Sequence, residues 1–206
     1  MDKRLTLLCD QDGILADCIG HWLKKIEERY GVKASYTDIT QWSPHKAAPY
    51  VGKVTADQVY GLLREPGFFL DMPPLPGAIE ALKLLNDRFN VFVVTGPSGP
   101  QSIMDKFAWL AKHAPFIKEE QIITCNVKHK TLIKADVIID DNPDILVQYP
   151  QVWPGAMSVG IEYPYNNTVG KGVFKSDFSV VYDGYPNTQK AWSDILGHIY
   201  TFAAGL

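Results

Sequence analysis

Three short apolar segments, each followed at once by polar or glycine-rich residues, constrain the fold of this chain most. They span residues 5–9, 91–94 and 137–139. Continuous apolar runs of this length are typical of buried parallel strands. Helical patterns lie between them, at residues 79–85 and 103–110. The alternation predicts an α/β fold with a doubly wound parallel sheet, in which ligands bind beyond the carboxyl ends of the strands.

The stretch that follows the first strand is longer than a crossover between parallel strands requires. It carries an amphipathic helical pattern at residues 19–30 and a second helical pattern at residues 55–63. We therefore expect a small helical cap, residues 18–74, inserted into an α/β core made of residues 1–17 and 75–206.

The C-terminal part of the sequence is less informative. We expect one or two edge strands after Pro150 and a closing helix over residues 192–202. No chemistry can be identified in this last quarter of the chain.

Composition and charge exclude several classes of function. The 206 residues carry a net charge of −3, which gives no support for binding a nucleic acid polymer or a membrane surface. The three cysteines lack the spacing of a metal site, and the N-terminal apolar run is too short for a signal or a membrane span. We expect a cytoplasmic protein that acts on a small molecule.

Two carboxylates stand directly behind the first apolar run. Asp10 and Asp12 are one residue apart, and Gly13 can supply the turn that lets both reach one pocket. Paired carboxylates at a strand end can hold a divalent metal, or act as nucleophile and general acid. An Asp-rich turn with no chemical role is the alternative.

Further polar groups at the other strand ends favour chemistry over a simple turn. Thr95 ends the second apolar run, Lys130 precedes the third, and Asp140 and Asp141 follow it. In phosphoryl transfer one carboxylate attacks phosphorus and a second acid protonates the departing oxygen. A hydroxyl and an ammonium group hold the phosphate oxygens, and Mg²⁺ prefers carboxylate and phosphate ligands. Their joint occurrence predicts a phosphoryl-transfer site.

With these residues in place, the chain resembles the haloacid dehalogenase-like superfamily of phosphohydrolases, and most closely the 5′(3′)-deoxyribonucleotidases. The matching segments are Asp10-Gln11-Asp12-Gly13, its extension to Asp17, Thr95, Lys130, Val137 to Asp141, and the stretch at residues 67–78. The resemblance implies a Rossmann-like core with a cap. It also implies a Mg²⁺-dependent phosphomonoesterase that forms an aspartyl-phosphate with a small phosphorylated substrate, most closely a nucleoside monophosphate. A homodimer is left open.

Roles for individual residues follow from the same resemblance. It implies that Asp10 is the nucleophile and a metal ligand. Asp12 would be the general acid and base, with its backbone carbonyl on Mg²⁺. Asp141 would bind the metal directly or through water, and Asp140 would orient Lys130 or a metal-bound water. Thr95 and Lys130 would hold the phosphate.

Two positions near the phosphate depart from the resembled enzymes or leave a choice. Gly96 stands where those enzymes carry a serine, so backbone N–H groups of the loop are expected to contribute to phosphate binding. Lys128 stands where they often carry an arginine. We predict a substrate contact there, with an ordinary surface lysine as the alternative.

The base-binding part of the site rests on aromatic residues of the expected cap. Cys18 occupies a place where the resembled enzymes tend to carry a stacking aromatic, and Trp42, Phe68 and Phe69 are predicted to compensate as substrate contacts. The alternative is that they form the core of the cap. Two other functions stay open: a phosphatase for another small metabolite such as a sugar phosphate, and a non-catalytic nucleotide-binding protein.

Overall fold

A six-stranded parallel sheet forms the centre of the computed structural model, which describes residues 4–167, 174–176, 179–181 and 185–206. In chain order the strands are β1 Thr6–Cys9, β2 Asn90–Thr95, β3 Ile122–Thr124, β4 Val137–Ile139, β5 Met157–Ile161 and β6 Phe174–Ser176. Their order across the sheet is β3-β2-β1-β4-β5-β6. A separate antiparallel pair consists of β7 Ser179–Val181 and β8 Tyr185–Asn187.

Six α-helices accompany the strands within the described part of the chain. They are α1 Cys18–Tyr30, α2 Ala56–Gly61, α3 Ala78–Arg88, α4 Pro100–His113, α5 Pro143–Val152 and α6 Thr188–Ala204. Short 3₁₀ helices cover residues 36–38, 44–46, 48–50, 62–64, 119–121 and 127–132. None of the described helices has both the length and the apolar character required to cross a bilayer.

Alternating side chains of the central strands supply two apolar layers, one on each face of the sheet. Leu7 and Cys9 of β1 belong to the larger core, which also contains the buried faces of α3 and α6. Leu8 points into a second, smaller core with Ile145 and Tyr149 of α5. Because successive side chains of a strand face opposite sides, a fully apolar strand requires cover on both faces. The predicted α/β fold is therefore confirmed.

The register of the central strands places their carboxyl ends side by side. Cys9, the last residue of β1, pairs with Val93 of β2 and with Ile139, the last residue of β4. The backbone N–H of Asp10 continues the ladder by donating to the carbonyl of Ile139 at 2.8 Å. Residues that follow β1, β2 and β4 consequently meet at one edge.

The chain leaves and re-enters the core at two neighbouring points. The N–H of Asp17 donates to the carbonyl of Pro73, and the N–H of Leu75 donates to the carbonyl of Leu15, both at 2.8 Å. Between these points lie α1, α2 and four of the 3₁₀ helices. Asp17 also caps α1, since its carboxylate accepts from the N–H of Gly20 at 2.8 Å. The division into a core and a cap at residues 18–74 stays a prediction.

Some elements differ from the sequence-based expectation. An edge strand is present after Pro150 as expected, since β6 lies at the edge of the sheet, whereas β5 lies between β4 and β6. The sequence analysis predicted neither β3 nor α5, and it did not predict the antiparallel pair of β7 and β8. β3 is only three residues long and partly exposed, and α5 contains Pro150, which is unfavourable inside a helix. The expected closing helix is confirmed and is longer than predicted, since α6 spans Thr188–Ala204.

Candidate active site

A buried lysine joins the ends of β1 and β4. The Nζ of Lys130 lies 2.7 Å from Oδ2 of Asp10 and 2.8 Å from Oδ2 of Asp140. All three side chains are buried. Burial alone would lower the pKa of Lys130, but the two carboxylates outweigh it and raise that pKa above its usual range. Lys130 is therefore a permanent positive charge beside Asp10.

Three carboxylates form an acidic cluster at the same edge. One oxygen from each of Asp10, Asp140 and Asp141 lies within 4.8 Å of the others. Burial raises the pKa of Asp140 to about 6, although Lys130 opposes the shift. Burial also raises the pKa of Asp141 well above its usual value, and the charges of Asp10 and Asp140 add to this. When all three carboxylates are ionised, the ammonium group of Lys130 balances only one of their charges.

The donor set of this cluster fits a divalent cation. Oδ2 of Asp141 accepts a hydrogen bond from the hydroxyl of Tyr165, whereas its Oδ1 is buried without a hydrogen-bond partner. A buried carboxylate oxygen without a partner is costly. Carboxylate oxygens are also the ligands that Mg²⁺ prefers. Asp10, Asp140 and Asp141 therefore suit Mg²⁺ in both charge and ligand type.

A second buried lysine, which the sequence analysis missed, lies beside Asp12. The Nζ of Lys106 in α4 is 2.6 Å from Oδ2 of Asp12, 2.9 Å from Oγ1 of Thr95 and 2.6 Å from the carbonyl oxygen of Gly96. The Lys106 side chain is 1% exposed. Burial raises the pKa of Asp12, while the Lys106 charge opposes that shift. Two ion pairs, Lys130 with Asp10 and Lys106 with Asp12, therefore hold the two carboxylates that follow β1.

The sequence does contain a signal for Lys106. It lies three residues after Ile103 and four before Leu110, where the helical period of α4 places it on the inward face. Trp109 and Leu110 on that face are fully buried. A lysine inside an apolar helical stripe must find partners in the interior.

Gly13 allows the first turn and the acidic cluster to approach each other closely. Its φ is +74°, and a Cβ atom there would lie 2.3 Å from Oδ2 of Asp141. The carbonyl of Gly13 accepts a hydrogen bond from the hydroxyl of Tyr163 at 2.7 Å. The amide nitrogen of Asn166 donates to the carbonyl of Asp141 at 2.8 Å. With Tyr165, these residues contact the site from the C-terminal quarter, in which the sequence analysis could identify no chemistry.

The polar groups open into a cavity of about 240 Å³ between the sheet edge and residues 18–74. Its floor contains Asp10, Asp12, Lys130 and Asp141. The opposite wall consists of apolar and aromatic side chains, namely Cys18, Ile19, Trp22, Ile39, Trp42, Pro44, Tyr60 and Leu63. A charged floor under an uncharged wall is suited to a ligand with one anionic end and one planar or apolar end.

The family model described as 5′ nucleotidase, deoxy (pyrimidine), cytosolic type C protein matches residues 4–177. The chain belongs to this family. A 5′(3′)-deoxyribonucleotidase of Clostridium acetobutylicum is 33% identical over 138 residues, which are 67% of this chain and 73% of that protein. The mitochondrial 5′(3′)-deoxyribonucleotidase of Mus musculus is 31% identical over 151 residues, which cover 69% of this chain and 67% of that protein.

Solved structures agree with this 5′-nucleotidase family at the level of the fold. A Burkholderia xenovorans protein assigned as a haloacid dehalogenase-like hydrolase superposes with a TM-score of 0.58 at 14% identity, covering 98% of this chain and 99% of that one. A Thermotoga maritima protein assigned as a β-phosphoglucomutase gives 0.54 at 14% identity, covering 95% and 99%. These superpositions show the fold alone, and it is the fold that the resemblance to the haloacid dehalogenase-like superfamily implied.

The aromatic residues expected to contact substrate in this nucleotidase-family chain differ in whether they line the cavity. Trp42 lines the cavity, is 47% exposed, and meets Tyr165 edge to face at 5.4 Å between ring centroids. Phe69 also lines the cavity. Phe68 does not line it and instead packs against His21 at 5.0 Å and against Trp22. Of the three aromatic residues predicted as substrate contacts, Trp42 and Phe69 are thus in position to touch a ligand, and Phe68 is not.

The residues expected to bind phosphate also differ from one another in whether they reach the cavity. Gly96 and Lys130 line the cavity. Thr95 is fully buried behind them, with its hydroxyl oxygen bound to Lys106. Lys128 is exposed and is not part of the cavity lining. Its predicted substrate contact remains untested.

Proposed function

We propose that this chain dephosphorylates deoxyribonucleoside monophosphates in a Mg²⁺-dependent reaction that passes through an aspartyl-phosphate. The chain is a phosphoric monoester hydrolase of the nucleotidase type, as its family indicates. One observation carries the rest of the proposal. Asp10 is paired with Lys130 and belongs to a metal-compatible acidic cluster, on the floor of a cavity whose opposite wall is apolar.

The proposed first step forms a covalent intermediate on Asp10. Its carboxylate attacks phosphorus, and the bond from phosphorus to the substrate oxygen breaks. Asp12 in its acid form gives a proton to the departing oxygen, which leaves as an alcohol. The raised pKa of Asp12 supports this role, because a buried carboxyl holds its proton to higher pH.

The proposed second step regenerates the enzyme. Asp12, now a carboxylate, takes a proton from water as the water oxygen attacks phosphorus. The bond from phosphorus to Asp10 breaks, and inorganic phosphate is released. Splitting one hydrolysis into two steps lowers the barrier of each. Throughout, the Lys130 ammonium group would neutralise charge on Asp10 and on the phosphate oxygens.

Asp10, Asp140 and Asp141 would hold the metal, together with the backbone carbonyl of Asp12. Four carboxylates and two ammonium groups occupy the site, so its formal charge is negative by two. When bound, Mg²⁺ would neutralise this excess and draw electron density from a phosphate oxygen. Thr95 accepts a hydrogen bond from Lys106 and is buried behind Gly96 and Lys130, so its phosphate contact stays a prediction from the sequence.

The substrate class follows from the cavity wall. Its described lining residues on the side of α1 and α2 carry no formal charge. A nucleobase can stack on Trp42 or Tyr60 there, whereas a sugar phosphate would leave many hydroxyl groups without partners. Residues 18–74 would form the cap over the site. The cytoplasmic location and the possible homodimer stay predictions.

The proposal is tested by phosphate release from 5′- and 3′-deoxyribonucleoside monophosphates, compared with sugar phosphates, in Mg²⁺ and after chelation. We expect release from the nucleotides in Mg²⁺ alone and none from Asp10→Asn. An acid quench during turnover should leave a phosphate adduct on the peptide that contains Asp10. Preference for sugar phosphates would replace the proposed substrate. Nucleotide binding without any phosphate release would favour the non-catalytic alternative.

A further inference from the structure

Lys106 uses all of its hydrogen-bonding capacity inside the protein. An ammonium group has three donors, and those of Lys106 meet Oδ2 of Asp12, Oγ1 of Thr95 and the carbonyl of Gly96. The side chain is 1% exposed and is not part of the cavity lining. Lys106 is therefore not a phosphate ligand.

The contacts of Lys106 fix one oxygen of Asp12 and leave the other. Oδ2 is bound by the ammonium group, whereas Oδ1 has no hydrogen-bond partner among the described residues. Asp12 lines the cavity and its side chain is 26% exposed, so the residue is within reach of a ligand, while Oδ1 itself is a buried atom. A charge-assisted bond to a rigid partner restricts the carboxylate to a single orientation.

Lys106 is itself held by its surroundings. Its Nζ lies 4.4 Å from the ring centroid of Phe69. The preceding residue, Asp105, accepts from the N–H of Gly67 at 2.8 Å, and Trp109 donates to the carbonyl of Met72 at 2.7 Å. One face of α4 thus anchors the segment that returns from residues 18–74 to the core.

We propose that Lys106 is the positioning residue of the general acid, holding the Asp12 carboxyl group in the orientation from which it protonates the oxygen of the leaving group. This inference rests on the proposed function. In the step concerned, the electron pair of the broken bond goes to the leaving oxygen, and the proton comes from Asp12. A displaced Asp12 would slow only those reactions in which the leaving group needs that proton.

The test compares two leaving groups in one protein preparation. We would measure kcat/KM of wild type and Lys106→Met for a deoxyribonucleoside monophosphate and for 2,4-dinitrophenyl phosphate, whose leaving group departs without a proton. We expect a loss of about 10²-fold or more for the nucleotide, within the range for acid catalysis, and a loss below about 10-fold for the aryl phosphate. The ratio of the two values does not depend on how much of the variant is folded.

Lys106→Gln provides a second variant that keeps a donor and should restore part of the nucleotide activity. The matched control is Lys112→Met, an exposed lysine of the same helix, which should behave as wild type. The Asp12→Asn variant already lacks the acid. Adding Lys106→Met to it should therefore reduce kcat/KM for the nucleotide little further.

Equal losses for the two substrates would overturn the inference while leaving the proposed function intact. So would additive losses in the double variant. A wild-type protein that hydrolyses neither substrate would overturn the proposed function and the inference with it.

Discussion

The hydroxyl of Tyr165 donates a hydrogen bond to Oδ2 of Asp141, a residue 24 positions earlier in the chain. Tyr165 follows β5, and Asp141 follows β4, so the bond joins two neighbouring strand ends. It fixes one oxygen of the carboxylate and leaves Oδ1, which has no partner in the described structure. A partner of this kind orients a metal ligand without touching the metal.

The first prediction concerns this bond. Tyr165→Phe removes the hydroxyl and should raise the Mg²⁺ concentration for half-maximal activity by about 10-fold, the low end for loss of a partner to a metal ligand. The same shift should appear in a Mg²⁺ titration of thermal stability. The control is Tyr200→Phe in α6, in which the ring keeps its contact with Phe89. Unchanged Mg²⁺ dependence in Tyr165→Phe would remove Asp141 from the metal site.

The second prediction concerns metal removal and pH. The pKa of Asp141 is raised in the folded protein, so the folded state keeps this proton to higher pH than the unfolded chain. Stability of the metal-free protein should therefore fall as the pH rises from about 4, the ordinary range for aspartate. The Asp141→Asn side chain cannot ionise, so this variant should have a higher melting temperature than wild type at pH 8 in chelator. We expect a difference of about 2–4 °C for each kcal/mol of charge repulsion that the substitution removes.

Thermal unfolding of wild type and Asp141→Asn at pH 5 and pH 8, with chelator or Mg²⁺, tests whether the stability of the metal-free protein falls as the pH rises. Mg²⁺ should stabilise wild type and have little effect on the variant. Asp144→Asn, an exposed aspartate in the first turn of α5, is the control. Lower stability of Asp141→Asn at pH 8 in chelator would contradict the assigned charge repulsion.

The third prediction uses two glycines with the same backbone angle. Gly13 and Gly52 both have a φ of +74°, but only at Gly13 would a Cβ meet the protein, at 2.3 Å from Asp141. Gly52→Ala should cost about 1 kcal/mol of left-handed strain and keep its activity. Gly13→Ala should carry the same strain, and its Cβ would also displace the Asp141 carboxylate, so this variant should lose most of its activity. Denaturant unfolding and phosphate release measure the two effects, and equal activities would refute the close contact.

The fourth prediction separates two adjacent phenylalanines. Both are buried, at 4% for Phe68 and 2% for Phe69, so replacing either with leucine should cost about 1 kcal/mol of stability. Phe69 lines the cavity and lies under Lys106, whereas Phe68 packs on His21. We expect reduced kcat/KM for Phe69→Leu and an unchanged value for Phe68→Leu. The reverse order would place Phe68, not Phe69, at the substrate.

The fifth prediction compares two lysines of one short helix. Lys130→Met removes the charge between Asp10 and Asp140 and should reduce kcat by about 10²-fold or more, as for loss of an electrostatic stabiliser. Lys128→Met removes an exposed charge outside the cavity lining and should change kcat/KM less than about twofold. A tenfold rise in KM for Lys128→Met would instead support the substrate contact predicted from the sequence.

The sequence by itself determined three strands of the sheet, β1, β2 and β4, and the residues that follow them. Apolar runs that end in Asp10, Thr95 and Asp140 predict where the strands stop, because a buried strand needs an unbroken apolar segment. Parallel pairing then brings those ends together, whatever the packing details. Asp141 and Lys130 were predicted on the same basis together with a family resemblance, and the structure places both on the floor of the cavity.

Only the tertiary structure decided which groups act on these carboxylates. Lys106 is 94 residues from Asp12, and Tyr165 is 24 from Asp141, so no local pattern pairs them. The neighbours Phe68 and Phe69 have the same residue type and both belong to the core, yet only Phe69 also lines the cavity. Pairings of this kind depend on how helices pack over the sheet, because side-chain partners in a close-packed interior are set by three-dimensional geometry.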